Sequence, residues 1–281
     1  MRIVITGANG QLGHELQHVL QDHHLTLLDV PEFDLTKPGV EVSIAAARPD
    51  VVIHAAAYTD VDGAEREPER ALAVNVEGTE RVAKAAAEAG ARLLYLSTDY
   101  VFDGRQGVPY RENDEPHPVN VYGRSKLEGE RRAAAHCPDT LVIRTAWLYG
   151  AHGKNFVKTI MRQALEQTGI RVVSDQRGSP THAGDLALAI RRILGLKLKG
   201  IVHATGSGDC TWYEFAREIV SVMGSSVRVH PISTEESKRA VRRPSYAVLA
   251  NAVLDGHGIR LPQWKDAVAR FVRESKTVAH A

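Results

Sequence analysis

Short, almost wholly apolar runs alternate along the first half of the chain with longer segments whose apolar residues recur every three or four positions. Residues 2–6 (RIVIT), 25–29 (LTLLD), 51–54, 92–97 and 140–144 read as strands buried on both faces. Residues 11–20 place Leu12, Leu16, Val19 and Leu20 on one helical face. Thr36 ahead of Pro38 predicts an N-cap and a helix running to about Ala47, ended by the residue before Pro49. Residues 68–89 form an Ala/Glu-rich helical segment stopped by Gly90, and residues 122–135 form another. Such alternation predicts an α/β protein with a Rossmann-type doubly wound parallel sheet over residues 1–146.

Two stretches break the rhythm. Residues 99–120 have no period and many Pro, Gly, Asp and Asn residues, and a loop of that length inside a compact domain is usually functional. Beyond Arg144 the pattern becomes irregular, with helices expected at about 155–168, 182–194, 211–223 and 264–275. Residues 147–281 are read mainly as a smaller α/β substrate domain, with segments returning to the first sheet.

Gly7, Gly10 and Gly13 stand at G-x-x-G-x-x-G between the first strand and the first helix. Glycine permits a tight turn and close approach of backbone to a pyrophosphate, and the helix N-terminus offers free N–H groups. Three glycines at this spacing are a weak signal alone; their place after a strand and before an amphipathic helix gives the signal its weight. Asp29 closes the second strand, 16 residues after Gly13, where an acid can hold the adenosine ribose hydroxyls. A carboxylate there repels a 2′-phosphate and favours NADH. Asp34 and Leu35 suit the adenine amino group and ring.

Tyr122 and Lys126 are four residues apart on one predicted helix and share a face. Reduction of a ketone develops an alkoxide that must receive a proton; tyrosine is a weak acid at neutral pH, and a nearby ammonium would lower its pKa. About 0.3 such pairs are expected by chance in a chain of this composition, so the pair draws its force from opening the helix after the fourth strand. The C-terminal end of that strand offers a third polar group. Ser97 and Thr98 compete for the role, because alternation along a strand sends neighbours to opposite faces.

Composition narrows the function classes. The 281 residues are 43% hydrophobic and 25% charged with net charge +1, which gives no electrostatic footprint for nucleic acid or an anionic membrane. The sequence shows no signal-peptide pattern and no apolar stretch long enough to span a bilayer. Cys137 and Cys210 form no C-x-x-C, so a reducing, cytoplasmic setting is expected. His14-Glu15-Leu16-Gln17-His18 matches the H-E-x-x-H zinc signature, but both histidines lie away from the Leu12/Leu16 stripe and are read as solvent-facing, with no catalytic metal. Lys238, Arg239, Arg242 and Arg243 are either a solvated face or a clamp for an anionic substrate.

The motifs GANGQLG, HAAAYTDVDGAE, VNVEGT, YLSTDYVFDG, VYGRSKLEGE, RTAWLYG and DQRGSPT together resemble the dTDP-4-dehydrorhamnose reductase family, extended short-chain dehydrogenases/reductases. The likeness is dense from Met1 to about Thr181 and looser beyond. It implies reduction of the C4 keto group of a dTDP-sugar with NADPH or NADH. By resemblance, Tyr122 is the catalytic acid, Thr98 rather than Ser97 completes the triad, and Lys126 is its lysine. Gly10, Gln11 and Leu12 match the phosphate loop, Asp29, Asp34 and Leu35 the adenosine contacts, and Ala57, Tyr58 and Thr59 further cofactor contacts. Thr98, Asp99 and Trp147 match substrate contacts. The resemblance also implies a homodimer, with magnesium held by Glu15, Asp185 and Glu274. Tyr246 departs from the family's C-terminal pattern, which has a small polar residue there.

Overall fold

Six strands hydrogen-bond side by side in the computed structural model, which describes residues 1–279. They are β1 (Arg2–Thr6), β2 (His24–Leu28), β3 (Val51–His54), β4 (Arg92–Thr98), β5 (Thr140–Thr145) and β6 (Gly200–His203). All pairs are parallel, in the order β6-β5-β4-β3-β1-β2. The chain leaves β1 on one side for β2 and returns on the other for β3, so the order reverses between β1 and β3. That reversal opens a crevice at the strands' C-terminal ends, where Gly7 follows β1 and Ala55 follows β3.

Both sheet faces are covered, which is why the central strands are apolar almost throughout. On one side the Gln11–Val19 and Ala183–Leu194 helices pack Leu12, Leu16, Leu186 and Ile190 against Ile3, Ile5, Ile53 and Leu94. On the other, the Val40–Ala47 and Thr79–Glu88 helices bury Val40, Ile44, Val82 and Ala86 against Val4, Val52 and Leu93. A third core gathers Tyr149, Ile160, Phe215, Trp264 and Phe271 around a parallel pair, Gly169–Val173 with Arg228–Ile232. Residues after 146 therefore feed two cores: they supply that third cluster, and they also return a helix and β6 to the main sheet.

Three expectations change. The helix after Pro38 begins at Val40 behind Gly39, a left-handed residue, and the Thr36 hydroxyl donates to Asp34 instead of capping the helix. The segment predicted as one helix over 68–89 is Pro68–Leu72, a π-helical turn at Ala73–Gly78, and Thr79–Glu88. A helix at Val61–Arg66, capped by Asp60, had no clear periodic signal. The long segment 99–120 starts with one 3-10 turn, Asp99–Val101. Tyr110 ties it down: its ring stacks on Phe102, its hydroxyl donates to Asp103 and its backbone bonds to Val248 and Ala250.

Candidate active site

The glycine loop is shaped by lack of side chains. Gly7 has φ +72°, and a Cβ on it would lie 2.6 Å from the Ala56 nitrogen; a Cβ on Gly13 would lie 2.2 Å from the Gly7 carbonyl oxygen. Gly10 caps the Gln11–Val19 helix with no side-chain hydrogen bond and no acid in the first turn, so the helix presents free N–H groups to the crevice. These features fit a pyrophosphate. Gln11 turns its side-chain carbonyl towards Asn155, which donates to it at 3.0 Å. Leu12 is in the core.

Asp29 stands just past β2, half-buried. Its two carboxylate oxygens accept the backbone N–H groups of Asn9 (2.7 Å) and Val30 (2.8 Å), so it holds the glycine loop as well as facing the crevice. Asp34 accepts both the N–H and the hydroxyl of Thr36, and the first of these holds its carboxyl below the usual range. Leu35 is buried against Gly78 and its carbonyl accepts from Arg81.

Ala57, Tyr58 and Thr59 follow β3 along the crevice. Asn75, on the π-helical turn, accepts the Tyr58 N–H (2.8 Å), donates to the Tyr58 carbonyl (3.1 Å) and donates to Ser125 on the Val121–His136 helix (3.0 Å). It thus joins the β3 loop to the helix that carries Tyr122. His54 lies beneath, fully buried between the Thr6 and Thr79 hydroxyls (2.6 and 3.1 Å). Burial, and then the Lys126 charge, pull it down to about 3. The sequence reading missed both Asn75 and His54; the only available signal was a polar residue inside an apolar run.

Ser97 and Thr98 go opposite ways. The Ser97 hydroxyl donates to Glu130 at 2.5 Å, inside the core. Thr98 turns to the crevice, accepts the Tyr100 N–H and donates to Asp99 (2.9 Å), with the Tyr122 phenol close by. Asn120 caps the Val121–His136 helix by accepting the Gly123 N–H, which sets Tyr122 in its first turn. Gly123 permits the close approach: a Cβ there would meet the Tyr100 carbonyl oxygen at 2.1 Å.

Lys126 departs from expectation. Its ammonium donates to the Leu96 carbonyl (2.7 Å) and sits 4.1 Å from the Tyr95 ring. Burial lowers it to about 7, with Glu130 pulling the other way. The Tyr122 phenol is pushed above its ordinary range by burial, opposed by the nearby Thr98 hydroxyl and reinforced by Asp99 and Tyr100. The expected lowering by lysine is absent, because the Lys126 charge is directed at a carbonyl of β4.

Trp147 follows β5 with φ +46° and stacks face to face on Trp212 at 3.4 Å, its indole edge closed by Gly178.

The chain matches known proteins over nearly its whole length. The family model described as "RmlD substrate binding domain" matches residues 1–277. A dTDP-4-dehydrorhamnose reductase from Sinorhizobium fredii is 43% identical, covering 97% of each chain. A crystal structure of dTDP-4-dehydrorhamnose reductase from Bacillus anthracis in complex with NADP is 40% identical with TM-score 0.93, covering 97% of this chain and 99% of that one.

The chain belongs to the dTDP-4-dehydrorhamnose reductase family.

The fold is shared more widely. A UDP-glucose 4-epimerase from Thermus thermophilus superposes with TM-score 0.83 at 21% identity, covering 97% of this chain and 98% of that one.

Contacts bear on two metal readings. Asp185 is held by Arg270, whose Nη2 lies 2.6 Å from both carboxylate oxygens, and His182 is close by. Among the described residues no group of His, Cys, Asp and Glu gathers to hold a metal, so the magnesium expectation for Glu15, Asp185 and Glu274 is not supported. In the H-E-x-x-H stretch His18 is exposed, but His14 is half-buried and stacks on His152 at 3.7 Å, because the 151–153 turn folds over the helix. The basic run divides: Lys238 and Arg242 face solvent, while Arg243 turns inward to Asp62 (2.9 Å) and to Tyr100, whose ring meets Tyr122 edge-on at 5.4 Å. Tyr246 packs on the cluster around Phe102 and Tyr110.

Proposed function

We propose that this chain reduces the C4 keto group of dTDP-4-dehydro-L-rhamnose to give dTDP-L-rhamnose, with Tyr122 as proton donor. The observation that carries the reading is the meeting of Thr98 and Tyr122 at the C-terminal end of β4, beside a glycine cradle shaped for a dinucleotide, in a chain that matches the family end to end.

The nicotinamide cofactor, when bound, supplies the hydride; Gly7, Gly10, Gln11, Leu12 and Gly13 would seat its pyrophosphate, and Asp29, Asp34 and Leu35 its adenosine end. The chain's own residues handle the proton. As negative charge develops on O4, Tyr122 Oη donates to it. Thr98, close to the phenol, would hydrogen-bond and stabilise the phenolate that remains. Lys126 holds its ammonium against the Leu96 carbonyl and would hold the nicotinamide ribose, and Asn75 with Ser125 fixes the helix that carries Tyr122. Tyr122 is buried, which keeps water from competing for its proton. Trp147, braced by Trp212, and Asp99 form the substrate wall.

Asp29 supports NADH, and the NADP bound to the Bacillus anthracis relative supports NADPH. No described helix is long and apolar enough to cross a membrane. Two buried free cysteines, Cys137 and Cys210, support a cytoplasmic setting. The test is purified protein with dTDP-4-dehydro-L-rhamnose and NADH or NADPH, followed at the nicotinamide absorbance. Loss of absorbance that depends on the sugar nucleotide supports the reading; none with either cofactor overturns it.

A further inference from the structure

The turn at residues 150–155 lies on the first turn of the Gln11–Val19 helix, and Asn155 makes the join. Its Nδ2 donates to Gln11 Oε1 (3.0 Å) and to the Gly150 carbonyl (2.8 Å). Its Oδ1 accepts the Lys158 N–H (3.0 Å) and so caps the Phe156–Glu166 helix. The two backbone partners fix which end of the amide is which, because an N–H requires Oδ1 and a carbonyl requires Nδ2. The second Nδ2 proton is thereby directed at Gln11. The rest of the turn follows: a Cβ on Gly153, at φ +68°, would lie 3.3 Å from Gln11 Cγ, and His152 stacks on His14 at 3.7 Å. Lys158 Nζ closes the turn by donating to the Ala151 (2.8 Å) and Gly153 (3.1 Å) carbonyls.

Both ends of this link reach a binding surface. Gln11 is the first residue of the helix whose free N–H groups face the crevice, in the seat assigned to the pyrophosphate. On the far side, Phe156 directly follows Asn155. Its ring lies 4.5 Å from that of Trp212, which stacks on Trp147 at 3.4 Å. Val157 and Ile160 bury the same helix in the third core. Direct contacts therefore run from Gln11 through Asn155, Phe156 and Trp212 to Trp147, from the phosphate loop to the substrate wall.

We propose that Asn155 is a positioning residue that registers the Trp147 wall against the cofactor loop, so that a seated cofactor and a seated sugar nucleotide each tighten the other. This rests on the dTDP-sugar reductase reading. A pyrophosphate on the helix N–H groups fixes Gln11; Gln11 Oε1 fixes Asn155, and the cap fixes Phe156 against Trp212. Whichever ligand binds first orders the link, and the second has less left to order. Without the link both seats remain, but the two ligands bind independently.

The coupling is read from the Kd of dTDP-L-rhamnose, measured by calorimetry with and without saturating NADPH (or NADH, if that binds better); product and reduced cofactor do not react together. In the wild type this Kd should fall about fivefold or more when the cofactor is present, and the cofactor Kd should fall by the same factor with dTDP-L-rhamnose present. Asn155→Ser keeps a capping hydroxyl but is too short to reach Gln11, and its factor should drop to within about twofold. Gln11→Met removes the acceptor, leaves the Asn155 cap intact and should lose the factor likewise. An Asn155 that served only to hold the fold would weaken either ligand and leave the factor unchanged. An unchanged factor in either variant, or no coupling in the wild type, overturns the proposal. Hydrogen exchange needs no sugar nucleotide: cofactor alone should slow the Lys158 and Thr159 amides of the wild type about fivefold or more, and not those of Asn155→Ser. No slowing in the wild type overturns the proposal even where dTDP-L-rhamnose fails to bind, whereas failure of dTDP-L-rhamnose to bind, with the slowing present, counts against the substrate reading alone.

Discussion

Glu130 and Arg144 face each other in the core beneath the Tyr122 helix, joined by two parallel bonds, Nε to Oε1 at 2.9 Å and Nη2 to Oε2 at 2.7 Å. Their side chains are 6% and 1% exposed, and the Ser97 hydroxyl adds a third bond to the same carboxylate. This pair draws Ser97 inward and so leaves Thr98 to face Tyr122. Removing one partner strands a buried charge. Glu130→Ala should cost about 3–5 kcal/mol, and the double variant Glu130→Leu/Arg144→Met should recover most of that. Urea unfolding midpoints of the three proteins provide the check. A double variant as unstable as Glu130→Ala would mean that packing, not charge, sets the cost.

Tyr122→Phe keeps the ring and its edge contact with Tyr100 while removing the hydroxyl. Turnover should fall by about 10² or more, with cofactor and sugar-nucleotide binding retained. Steady-state kinetics and equilibrium titration together decide; turnover within a few-fold of wild type would remove Tyr122 from the mechanism.

Asp29→Ala acts twice, since the carboxylate faces the crevice and also holds the Asn9 N–H. Both cofactors should bind more weakly, NADH by the larger factor, because the carboxylate that is lost would hydrogen-bond ribose hydroxyls and repel a 2′-phosphate. Fluorescence titration with each cofactor measures the two losses. Equal losses would assign Asp29 to the loop alone.

Gly178→Ala tests the Trp147 wall without touching Trp147. The new methyl would lie 2.4–2.8 Å from three indole atoms, so the ring and its stack on Trp212 must shift. KM for the sugar nucleotide should rise several-fold while cofactor affinity stays close to wild type. Unchanged KM would place the wall away from the substrate.

Acid should destabilise the fold through buried histidines. His54 and His203 are each held down to about 3 against an ordinary 6.5, burial being the largest cause for both. The unfolded chain takes up protons as pH falls through about 6.5, whereas the native state does not until about 3. Stability is therefore full above about 6.5 and is lost progressively between there and about 3. Urea midpoints at about pH 7 and about pH 4.5 should show the loss, and His54→Gln, which cannot titrate, should show a smaller one.

Five of the six strands of the parallel sheet and the glycine cradle were legible in the sequence, because each depends on local pattern; the sixth, β6, was not. Strands buried on both faces must be apolar throughout, and a turn with φ +72° after β1 suits only glycine. The spacing of Tyr122 and Lys126 likewise puts both on one helix. What that spacing could not convey is where the lysine's charge goes: its four-carbon stem reaches Leu96 rather than the phenol, and only the distance between helix and β4 decides this. The split of the 68–89 segment was hidden too, since a π-helical turn has the same composition as the α-helix around it and is held by Asn75 reaching across to Tyr58 and Ser125. The contest between Ser97 and Thr98 had the same character. Strand alternation required that they part, but which of them met the active site depended on a carboxylate 33 residues later and a guanidinium 14 residues beyond that. Local sequence carries backbone preference and burial period; the partner that a buried polar group finds is set by which distant segments the sheet brings within hydrogen-bond reach, and that is a property of the folded chain.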